Sequence, residues 1–259
     1  MTPPTRWHAE AIWEQVWPLL PGFTVEVLPE IDSSNTELMR RARQGQTEAT
    51  LLVAESQTAG RGRMGRVWQG QPGDSLTFSL SLPFAPQDWS GLSLAVGLSL
   101  AESLHPGVRL KWPNDLWWQE RKLGGILIEA ASMGGRSQVV IGMGINIRPR
   151  PADGLNTPPA ALTEAWSEAT APAALARVVL PLVQMLQDFE RQGFAPLQQR
   201  FEARDVLRGR QVTTSDGLQG LCLGVSAAGA LRLADEQGTH DIHSSEVSVR
   251  PLKQDKDGC

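Results

Sequence analysis

The hydrophobic pattern of this chain changes character at about Gly209. Before that point, patterns typical of helices alternate with apolar runs typical of strands, whereas short alternating segments separated by glycine-containing turns follow it. These segments lie at 211–214, 219–225, 229–235, 239–243 and 246–250. Such spacing is typical of a small β-barrel. We therefore predict an α/β (α+β) domain over residues 1–205 and a small β-barrel domain over 206–259, which must dock on its neighbour for stability.

The first part of the chain carries the signals of four helices and six strands. Helices are predicted at 7–20, 34–45, 91–104 and 173–204, and strands at 24–28, 49–55, 76–82, 108–112, 124–130 and 138–147. The second helix is expected to open with a capping box formed by Ser34 and Glu37 and to end at Gly45. In the last helix, Pro181 predicts a kink and Pro196 a break.

The composition excludes several classes of protein. The 259 residues include 24 Lys and Arg against 28 Asp and Glu, a formal net charge of −4, so the basic footprint of a general nucleic-acid binder is missing. Two cysteines, Cys222 and Cys259, cannot form a disulfide framework or a cysteine-based zinc site. No apolar run approaches the ~20 residues of a membrane span, and no secretory signal is visible. We expect a cytoplasmic globular protein that binds neither nucleic acid nor membranes.

The segment most informative about function is Gly60-Arg61-Gly62-Arg63-Met64-Gly65-Arg66-Val67-Trp68. It matches G-x-G-x-x-G, but the residues after it do not favour the helix that a dinucleotide-binding fingerprint requires. It also differs from a P-loop, because Arg66-Val67 stands where Lys-Ser/Thr is needed. Three arginines on a glycine-rich backbone suit a carboxylate or phosphate ligand, and Trp68 suits a planar base. The alternative is a solvated basic loop without a ligand.

Three further segments carry polar groups beside predicted strands. Lys111-Trp112-Pro113-Asn114-Asp115 combines a cation, a rigid turn, an amide and a carboxylate, and one carboxylate suffices for Mg²⁺ that binds with a nucleotide. Arg121-Lys122-Leu123-Gly124-Gly125 brings a lysine to a glycine pair, and Gly142-Met143-Gly144-Ile145-Asn146 ends an apolar strand. The alternatives are, respectively, a β-turn, a hairpin with solvated charges and a close approach of two strands.

Taken together and in this order, these segments resemble the motifs of biotin protein ligases (biotin–[acetyl-CoA-carboxylase] ligases). The similar segments are Asp32 to Asn35, Gln57 to Trp68, Lys111 to Asp115, Arg121 to Leu127 and Gly142 to Asn146, within a resemblance that extends from about Asp32 to Arg250. It implies a central mixed sheet with flanking helices and an SH3-like C-terminal barrel. It also implies ATP-driven activation of biotin to biotinyl-5′-AMP, followed by transfer to a lysine of a biotin carboxyl carrier protein.

The resemblance implies a role for individual residues as well. For biotin binding these are Ser33, Ser34, Asn35 and Gln57 at the ureido end, with Gly60, Arg61, Gly62, Arg63, Lys122, Gly125 and Gly144. For nucleotide binding they are Arg61, Arg63, Trp68 over the adenine, Lys111, Asn114, Asn146 and Arg250. The implied catalytic residues are Lys122, Arg63 and Lys111, and Asp115 is the implied Mg²⁺ ligand.

An electrostatic argument supports these roles independently. The carboxylate of biotin and the triphosphate of ATP repel each other by about 4 kcal/mol for each pair of unit charges at ~4 Å and an effective dielectric constant of ~20. Cationic side chains and Mg²⁺ can cancel this repulsion and stabilise the charge that develops at the α-phosphate. Because lysine is ordinarily protonated at neutral pH, we expect Lys122 to hold charge and not to act covalently. Closure of the loop over 60–68 would exclude water. Met64 stands at a position that is basic in some relatives, and whether it alters the ordering of the loop stays open.

The cofactor and partner predictions also follow from the resemblance. ATP and Mg²⁺ are expected as co-substrate and biotin as substrate, with no prosthetic group, and a homodimer is compatible with the sequence. About 20 residues precede the first predicted strand, so we expect neither the N-terminal winged-helix domain of some members nor their repressor function. Two other functions stay open: a lipoate or octanoate ligase or transferase, whose linear acyl chain would not need Ser34 and Gln57 to satisfy a ureido group, and a biotin-sensing regulator.

Overall fold

The larger of two sheets is mixed and has seven strands. The computed structural model describes residues 5–133, 135–150, 159–243 and 248–252. The strands are β1 (Thr24–Ile31), β2 (Thr50–Gln57), β3 (Ser75–Pro83), β4 (Arg109–Lys111), β5 (Asp115–Trp118), β6 (Arg121–Met133) and β7 (Arg136–Asn146). They lie in the order β1-β2-β3-β7-β6-β5-β4, with β1 and β2 parallel and the other neighbours antiparallel. The predicted mixed central sheet is confirmed.

Five helices flank this sheet within the described residues: α1 (Ala9–Val16), α2 (Ser34–Arg43), α3 (Leu92–Leu104), α4 (Ala171–Gln192) and α5 (Gln198–Glu202). Successive side chains of a strand point to opposite faces. On β2, Leu51 and Val53 join the main core with Leu98 of α3, whereas Leu52 joins a smaller cluster with Leu38 of α2. The sheet therefore lies between α2 on one face and the other long helices on the opposite face.

The C-terminal sheet has five antiparallel strands. These are β8 (Gln211–Thr214), β9 (Gln219–Val225), β10 (Leu231–Asp235), β11 (Gly238–Ile242) and β12 (Val249–Pro251), in the order β11-β10-β9-β8-β12. The predicted series of short strands after Gly209 is thus confirmed, although part of the last predicted strand, 246–250, lies outside the described residues. The boundary at 205/206 stays a prediction.

The start of α2 corrects the predicted capping box. The N-cap is Ser33, one residue earlier, and its hydroxyl accepts a hydrogen bond from the amide of Thr36 at 3.4 Å. Ser34 is instead the first helical residue, and its side chain turns toward the sheet. A capping box would direct the Glu37 carboxylate to a backbone amide at the start of the helix, but this carboxylate forms an ion pair with Arg41. A cap one residue earlier frees the Ser34 hydroxyl for other partners.

Two other local predictions differ from the structure in detail. The break predicted at Pro196 within the helix over 173–204 is confirmed but begins a few residues earlier, because α4 runs through Pro181 and ends at Gln192, where Gly193 has a φ of 66°. Pro196 then lies in a 3₁₀ turn at Ala195–Leu197, and α5 follows. Strand β5 was not predicted, because its four residues follow a Pro-Asn pair that favours a turn.

The C-terminal sheet docks beside β4, the edge strand of the larger sheet. The amide of Leu110 donates to the carbonyl of Arg204 at 2.9 Å, and the amide of Val206 donates to the carbonyl of Leu110 at 2.9 Å. Nearby, the buried indole of Trp112 donates to the carbonyl of Gly229 at 3.1 Å. The first two contacts pair β4 with the segment that leads from α5 into the C-terminal sheet, and the third joins Trp112 to the turn before β10. In the described residues, none of the helices has the length and apolar character needed to cross a membrane.

Candidate functional site

A cleft of about 450 Å³ lies where the segments with the predicted site residues converge. The predicted residues that line it are Ser33, Ser34, Asn35, Gln57, Arg61, Gly62, Arg63, Trp68, Lys111, Asn114, Asp115, Lys122, Gly125, Gly144 and Arg250. Arg250 belongs to β12, so both sheets contribute to the cleft. Segments separated by more than 200 residues in the sequence therefore form one site.

The register of the sheet aligns the centre of this cleft. Residues that lie directly opposite each other in neighbouring strands share one face of a sheet. The ladders pair Thr77 with Gly144, Gly144 with Gly125, Gly125 with Asp115, and Asp115 with Lys111. One row of residues thus crosses five strands, from the hydroxyl of Thr77 on β3, past two glycines, to the ammonium group of Lys111 on β4.

One end of the cleft, which we call the polar end, consists of uncharged hydrogen-bonding groups: Ser34, Asn35, Gln57 and Ser79. The amide of Ser34 donates to Gln57 Oε1 at 2.8 Å, and the Ser34 hydroxyl lies 2.8 Å from the Ser79 hydroxyl. The Ser79 hydroxyl donates to Asn35 Oδ1 at 2.8 Å. Ser34, Asn35 and Ser79 are each at most 3% exposed. A small neutral polar ring is the kind of ligand that such a buried, satisfied network can orient.

Two glycines of β7 form the floor of the cleft. A Cβ atom on Gly142 would lie 2.2 Å from Asn35 Oδ1, and one on Gly144 would lie 2.4 Å from the ring of Trp68. The same Trp68 indole donates to the Thr77 hydroxyl at 3.3 Å. The spacing Gly142-x-Gly144 suggested that two strands approach each other closely. In the structure, the side chains of Asn35 and Trp68 pack against the backbone of β7 at these glycines.

The loop over residues 60–68, which we call the arginine loop, is a closed excursion between β2 and β3. The amide of Trp68 donates to the carbonyl of Gly60 at 2.9 Å, and the amide of Gly62 donates to the carbonyl of Arg66 at 2.7 Å. Met64 has a φ of 56°, in the left-handed region. In agreement with the sequence, no helix follows the loop before β3 begins. This rules out the strand–loop–helix context of the standard dinucleotide and P-loop motifs.

Two arginines of this loop hold different partners. Arg61 forms an ion pair with Glu129 at 2.5 Å and also donates to the Thr36 hydroxyl at 3.3 Å. Arg63 donates to Asn114 Oδ1 at 3.3 Å, and burial lowers the pKa of its guanidinium. The loop is thus tied both to helix α2 and to the turn after β4.

The other end of the cleft, which we call the cationic end, is formed by Lys111, Lys122, Arg63 and Arg250. Lys122 Nζ lies 2.7 Å from Asp115 Oδ1 and above the backbone of Gly125. Lys111 Nζ lies 5.3 Å from the centre of the Trp117 ring, and desolvation lowers the pKa of this lysine although Asp115 opposes the shift. Cations gathered around one carboxylate provide an excess of positive charge for an anionic ligand.

The metal prediction rests on Asp115, and its surroundings limit what it can bind. The carboxylate is already paired with Lys122. Within the described ranges, no group of three or more His, Cys, Asp or Glu side chains could hold a metal ion. Mg²⁺ commonly binds through one or two carboxylates and substrate phosphates, and keeps several waters. A single carboxylate such as Asp115 is compatible with a Mg²⁺ ion that enters with a nucleotide.

Two predicted residues do not line the cleft. Asn146 is 1% exposed, and its Nδ2 donates to the backbone carbonyl of Lys122 at 3.3 Å. This hydrogen bond helps to hold the backbone of Lys122 in place. Gly60 lies where the two ends of the arginine loop cross, and a Cβ atom there would lie 2.5 Å from the carbonyl oxygen of Trp68. In this conformation, neither residue is positioned to contact a ligand in the cleft.

Sequence reasoning missed several residues of the site. Thr77 and Ser79 belong to the polar face of β3, whose apolar face predicted the strand, so their alternation was a usable signal. Arg150 lines the cleft with its guanidinium carbon 5.4 Å from the centre of the Trp68 ring, and burial lowers its pKa. Glu129 binds both Arg61 and Asn35. No local pattern marks the last two residues.

Comparison with known proteins identifies a family and several relatives. The model of the biotin/lipoate A/B protein ligase family matches residues 27–146. The chain is 36% identical over 253 residues to the bifunctional ligase/repressor BirA of Escherichia coli, an alignment that covers 93% of this chain and 78% of that protein. It is 30% identical over 240 residues to a biotin–[acetyl-CoA-carboxylase] ligase of Paracoccus denitrificans, covering 85% and 98% of the two chains.

A solved structure shares the fold. The biotin protein ligase from Aquifex aeolicus, in complex with biotin and ATP, superposes with a TM-score of 0.76 and 29% sequence identity, over 88% of this chain and 99% of that one. The matched family model includes the arginine loop and every strand of the row from Thr77 to Lys111. With these relatives and this site, the chain belongs to the biotin protein ligase family.

Proposed function

We propose that this protein is an ATP-dependent biotin protein ligase. Biotin and ATP would form biotinyl-5′-AMP and pyrophosphate, and a lysine of a biotin carboxyl carrier protein would then receive the biotinyl group. The observation that carries the proposal is that the polar end and the cationic end line one cleft, whose centre is the row of residues from Thr77 to Lys111. A neutral ring with an anionic tail and a polyanion suit these two ends.

In the first step, an oxygen of the biotin carboxylate forms a bond to the α-phosphorus, and the bond from that phosphorus to the bridging oxygen of pyrophosphate breaks. Both reactants are anions, so their approach needs compensating positive charge. Lys122 lies above Gly125 at the middle of the row, where the carboxylate and the α-phosphate would meet. Arg63 and Lys111 would stabilise the negative charge on the phosphates.

In the second step, the neutral amine of the acceptor lysine attacks the carbonyl carbon of the mixed anhydride. The carbon–nitrogen bond forms, the carbon–oxygen bond to phosphate breaks, AMP leaves and the amine loses a proton. The side chains at the cationic end would hold the departing phosphate. The arginine loop, held to the body of the protein through Arg61 and Arg63, would keep water from the anhydride before the acceptor arrives.

The finer parts of the proposal concern cofactors and partners. Mg²⁺ would enter as the complex with ATP, with Asp115 as its protein carboxylate. The carrier domain would present its lysine at the mouth of the cleft, in the cytoplasm, and a homodimer of the ligase is compatible with the fold. The segment over 206–259 would contribute Arg250 to the phosphates.

A second candidate function is ligation of lipoate or octanoate, because the matched family model covers biotin and lipoate ligases together. A linear acyl chain needs an apolar tunnel, whereas the polar end contains the buried hydroxyl groups of Ser34 and Ser79 and the half-buried amide of Gln57. Burying such groups against an alkyl chain would leave part of their hydrogen-bonding capacity unused, which is unfavourable. The polar end therefore favours biotin.

Exchange of radiolabelled pyrophosphate into ATP tests the first step directly. The purified protein is incubated with ATP, Mg²⁺ and biotin, lipoate or octanoate in parallel. Exchange that depends on biotin alone supports the proposal, whereas exchange that depends on lipoate or octanoate would favour the second candidate. Binding of biotin without exchange would instead favour a biotin-sensing regulator. Transfer is then tested with a carrier domain, and the same domain with its acceptor lysine replaced by arginine is the control.

A further inference from the structure

Glu129 lies on β6 outside the lining of the cleft, yet its two carboxylate oxygens bind both sides of the site. Oε1 accepts from Arg61 of the arginine loop at 2.5 Å, and Oε2 accepts from Nδ2 of Asn35 at 2.9 Å. The side chain of Glu129 is 24% exposed, whereas Asn35 is 3% exposed. A carboxylate thus connects a loop above the cleft to a buried amide at its polar end.

We propose that Glu129 is a positioning residue that sets the hydrogen-bond directions of the polar end and couples them to the arginine loop. This inference rests on the proposed function, because it concerns how biotin is held. Glu129 does not line the cleft, so it acts through Asn35 and Arg61 and not on the substrate itself.

The carboxylate of Glu129 sets the direction of the hydrogen bonds at the polar end. An ionised carboxylate only accepts hydrogen bonds. Asn35 must therefore turn its Nδ2 toward Glu129, and its Oδ1 faces Ser79, whose hydroxyl proton is then committed to Asn35. The Ser79 oxygen can in turn accept from Ser34, 2.8 Å away. One charged group thereby orients the Asn35 amide and the Ser79 proton, whereas the Ser34 hydroxyl can donate to Ser79 or to Gln57 Oε1, 3.1 Å away.

The side chain of Asn35 has little freedom to move. Its amide lies against Gly142, where even a Cβ atom would lie 2.2 Å from Oδ1, so the packing allows little displacement. The main freedom left is a rotation that exchanges the oxygen and the nitrogen of the amide. The carbonyl of Leu127 accepts from Nδ2 at 3.4 Å and favours the same orientation, but this bond is longer than the one to Glu129 at 2.9 Å. A neutral glutamine at 129 can donate as well as accept, and would weaken the preference for one orientation. The polar end would then present a mixture of hydrogen-bond patterns to its ligand.

The arginine loop is connected to the hydrogen-bond directions of the polar end through Glu129. Arg61 holds the same carboxylate that orients Asn35, so a displaced arginine loop would also change the charge environment of Glu129. Charge-assisted hydrogen bonds are stronger than neutral ones. We therefore expect the effects of changing Glu129 and Arg61 to be coupled and not additive.

The variant that tests the inference is Glu129→Gln, which keeps the size of the side chain and removes its charge. The matched control is Glu102→Gln, which removes a Glu–Arg pair with Arg200 remote from the cleft. We expect Glu129→Gln to raise the Kd for biotin, measured by calorimetry, and the KM for biotin in pyrophosphate exchange by roughly 10-fold. The KM for ATP should stay within about twofold, as should all constants of the control.

Two further measurements separate positioning from a loss of folding. Thermal unfolding of each variant shows whether the fold is kept, and Glu129→Asp, whose shorter carboxylate cannot reach both partners, should give an intermediate Kd for biotin. Arg61→Gln should weaken biotin binding less in the Glu129→Gln background than in the wild type. Equal effects in the two backgrounds, or an equal rise in both KM values, would overturn the inference.

Failure of the inference can be distinguished from failure of the proposed function. If the wild-type protein exchanges pyrophosphate with biotin but Glu129→Gln binds biotin as the wild type does, the inference alone is wrong. If the wild-type protein neither binds biotin nor exchanges, the proposed function is wrong and the inference falls with it.

Discussion

The contact between Gly144 and Trp68 allows a sharp test of how the cleft is built. A Cβ atom on Gly144 would lie 2.4 Å from the Trp68 ring, whereas carbon atoms in ordinary contact lie ~3.5 Å apart or more, so Gly144→Ala must displace the ring by about 1 Å. The displacement would strain the indole hydrogen bond to Thr77 and narrow the cleft. Overpacking of this kind costs about 1–3 kcal/mol of stability.

The effect on activity should exceed the effect on folding. A displacement of ~1 Å in a reacting site can cost roughly 100-fold in rate, so we expect kcat/KM for biotin in pyrophosphate exchange to fall by about that factor. The control is Gly97→Ala in helix α3. Its new Cβ atom would lie 3.3 Å from a terminal methyl group of Leu110 on β4, which can move. That change should leave the exchange kinetics close to those of the wild type.

A double variant identifies the cause. If the clash with Trp68 explains the loss, then Gly144→Ala should cost little further activity in a Trp68→Ala background, where the ring is absent. An equal loss in both backgrounds, or full activity of Gly144→Ala alone, would refute the reasoning. Urea unfolding of each variant shows whether it is folded under the assay conditions.

Three further predictions concern charged groups. Lys122→Ala should lower biotin-dependent exchange by at least ~100-fold, because the ammonium group above Gly125 is lost, while Arg136→Ala, an exposed change outside the cleft, should not. Arg63→Gly should still form biotinyl-5′-AMP but release it into the filtrate of a labelled reaction, because the loop loses a charge-assisted contact. Burial raises the pKa of Asp205 to about 6, so the stability that comes with its neutral form is lost as the pH rises through that value. Asp205→Asn should therefore stabilise the protein against urea by up to about 3 kcal/mol at pH 8, but not at pH 4.

Each of these three has a distinct contradicting result. Normal exchange by Lys122→Ala would mean that the charge at the centre of the row is dispensable. Retention of labelled adenylate by Arg63→Gly equal to that of the wild type would remove the loop from the retention of the intermediate. The same gain in stability at both pH values for Asp205→Asn would show that its cause is packing and not ionisation.

Much of the fold could be predicted because most strands have a recognisable local pattern of apolar and polar residues. The alternation of Leu76, Phe78 and Leu80 gave β3, and the glycine turns after Gly209 gave the C-terminal strands. The short strand β5 was missed because Asn114 and Asp115 favour a turn when read alone. It is held in place by pairing with β6, which is a long-range contact that no local pattern encodes.

The site could be predicted in its members but not in its arrangement. The motifs identified most of the residues in the cleft, including Lys111 and Lys122. Their alignment depends on the register between β5, β6 and β7, and a shift by one residue would turn every side chain to the other face. Glu129 and Arg150 were not predicted, because their contacts with Asn35 and Trp68 join segments that are distant in the sequence.

The most direct test of the central claim is a crystal structure with a non-hydrolysable analogue of biotinyl-5′-AMP. The account predicts the bicyclic ring at the polar end, hydrogen-bonded near Ser34 and Gln57, and the phosphate group beside Lys122, with the arginine loop closed over it. A ligand bound away from the row between Thr77 and Lys111, or bound with the arginine loop directed away from it, would contradict the account.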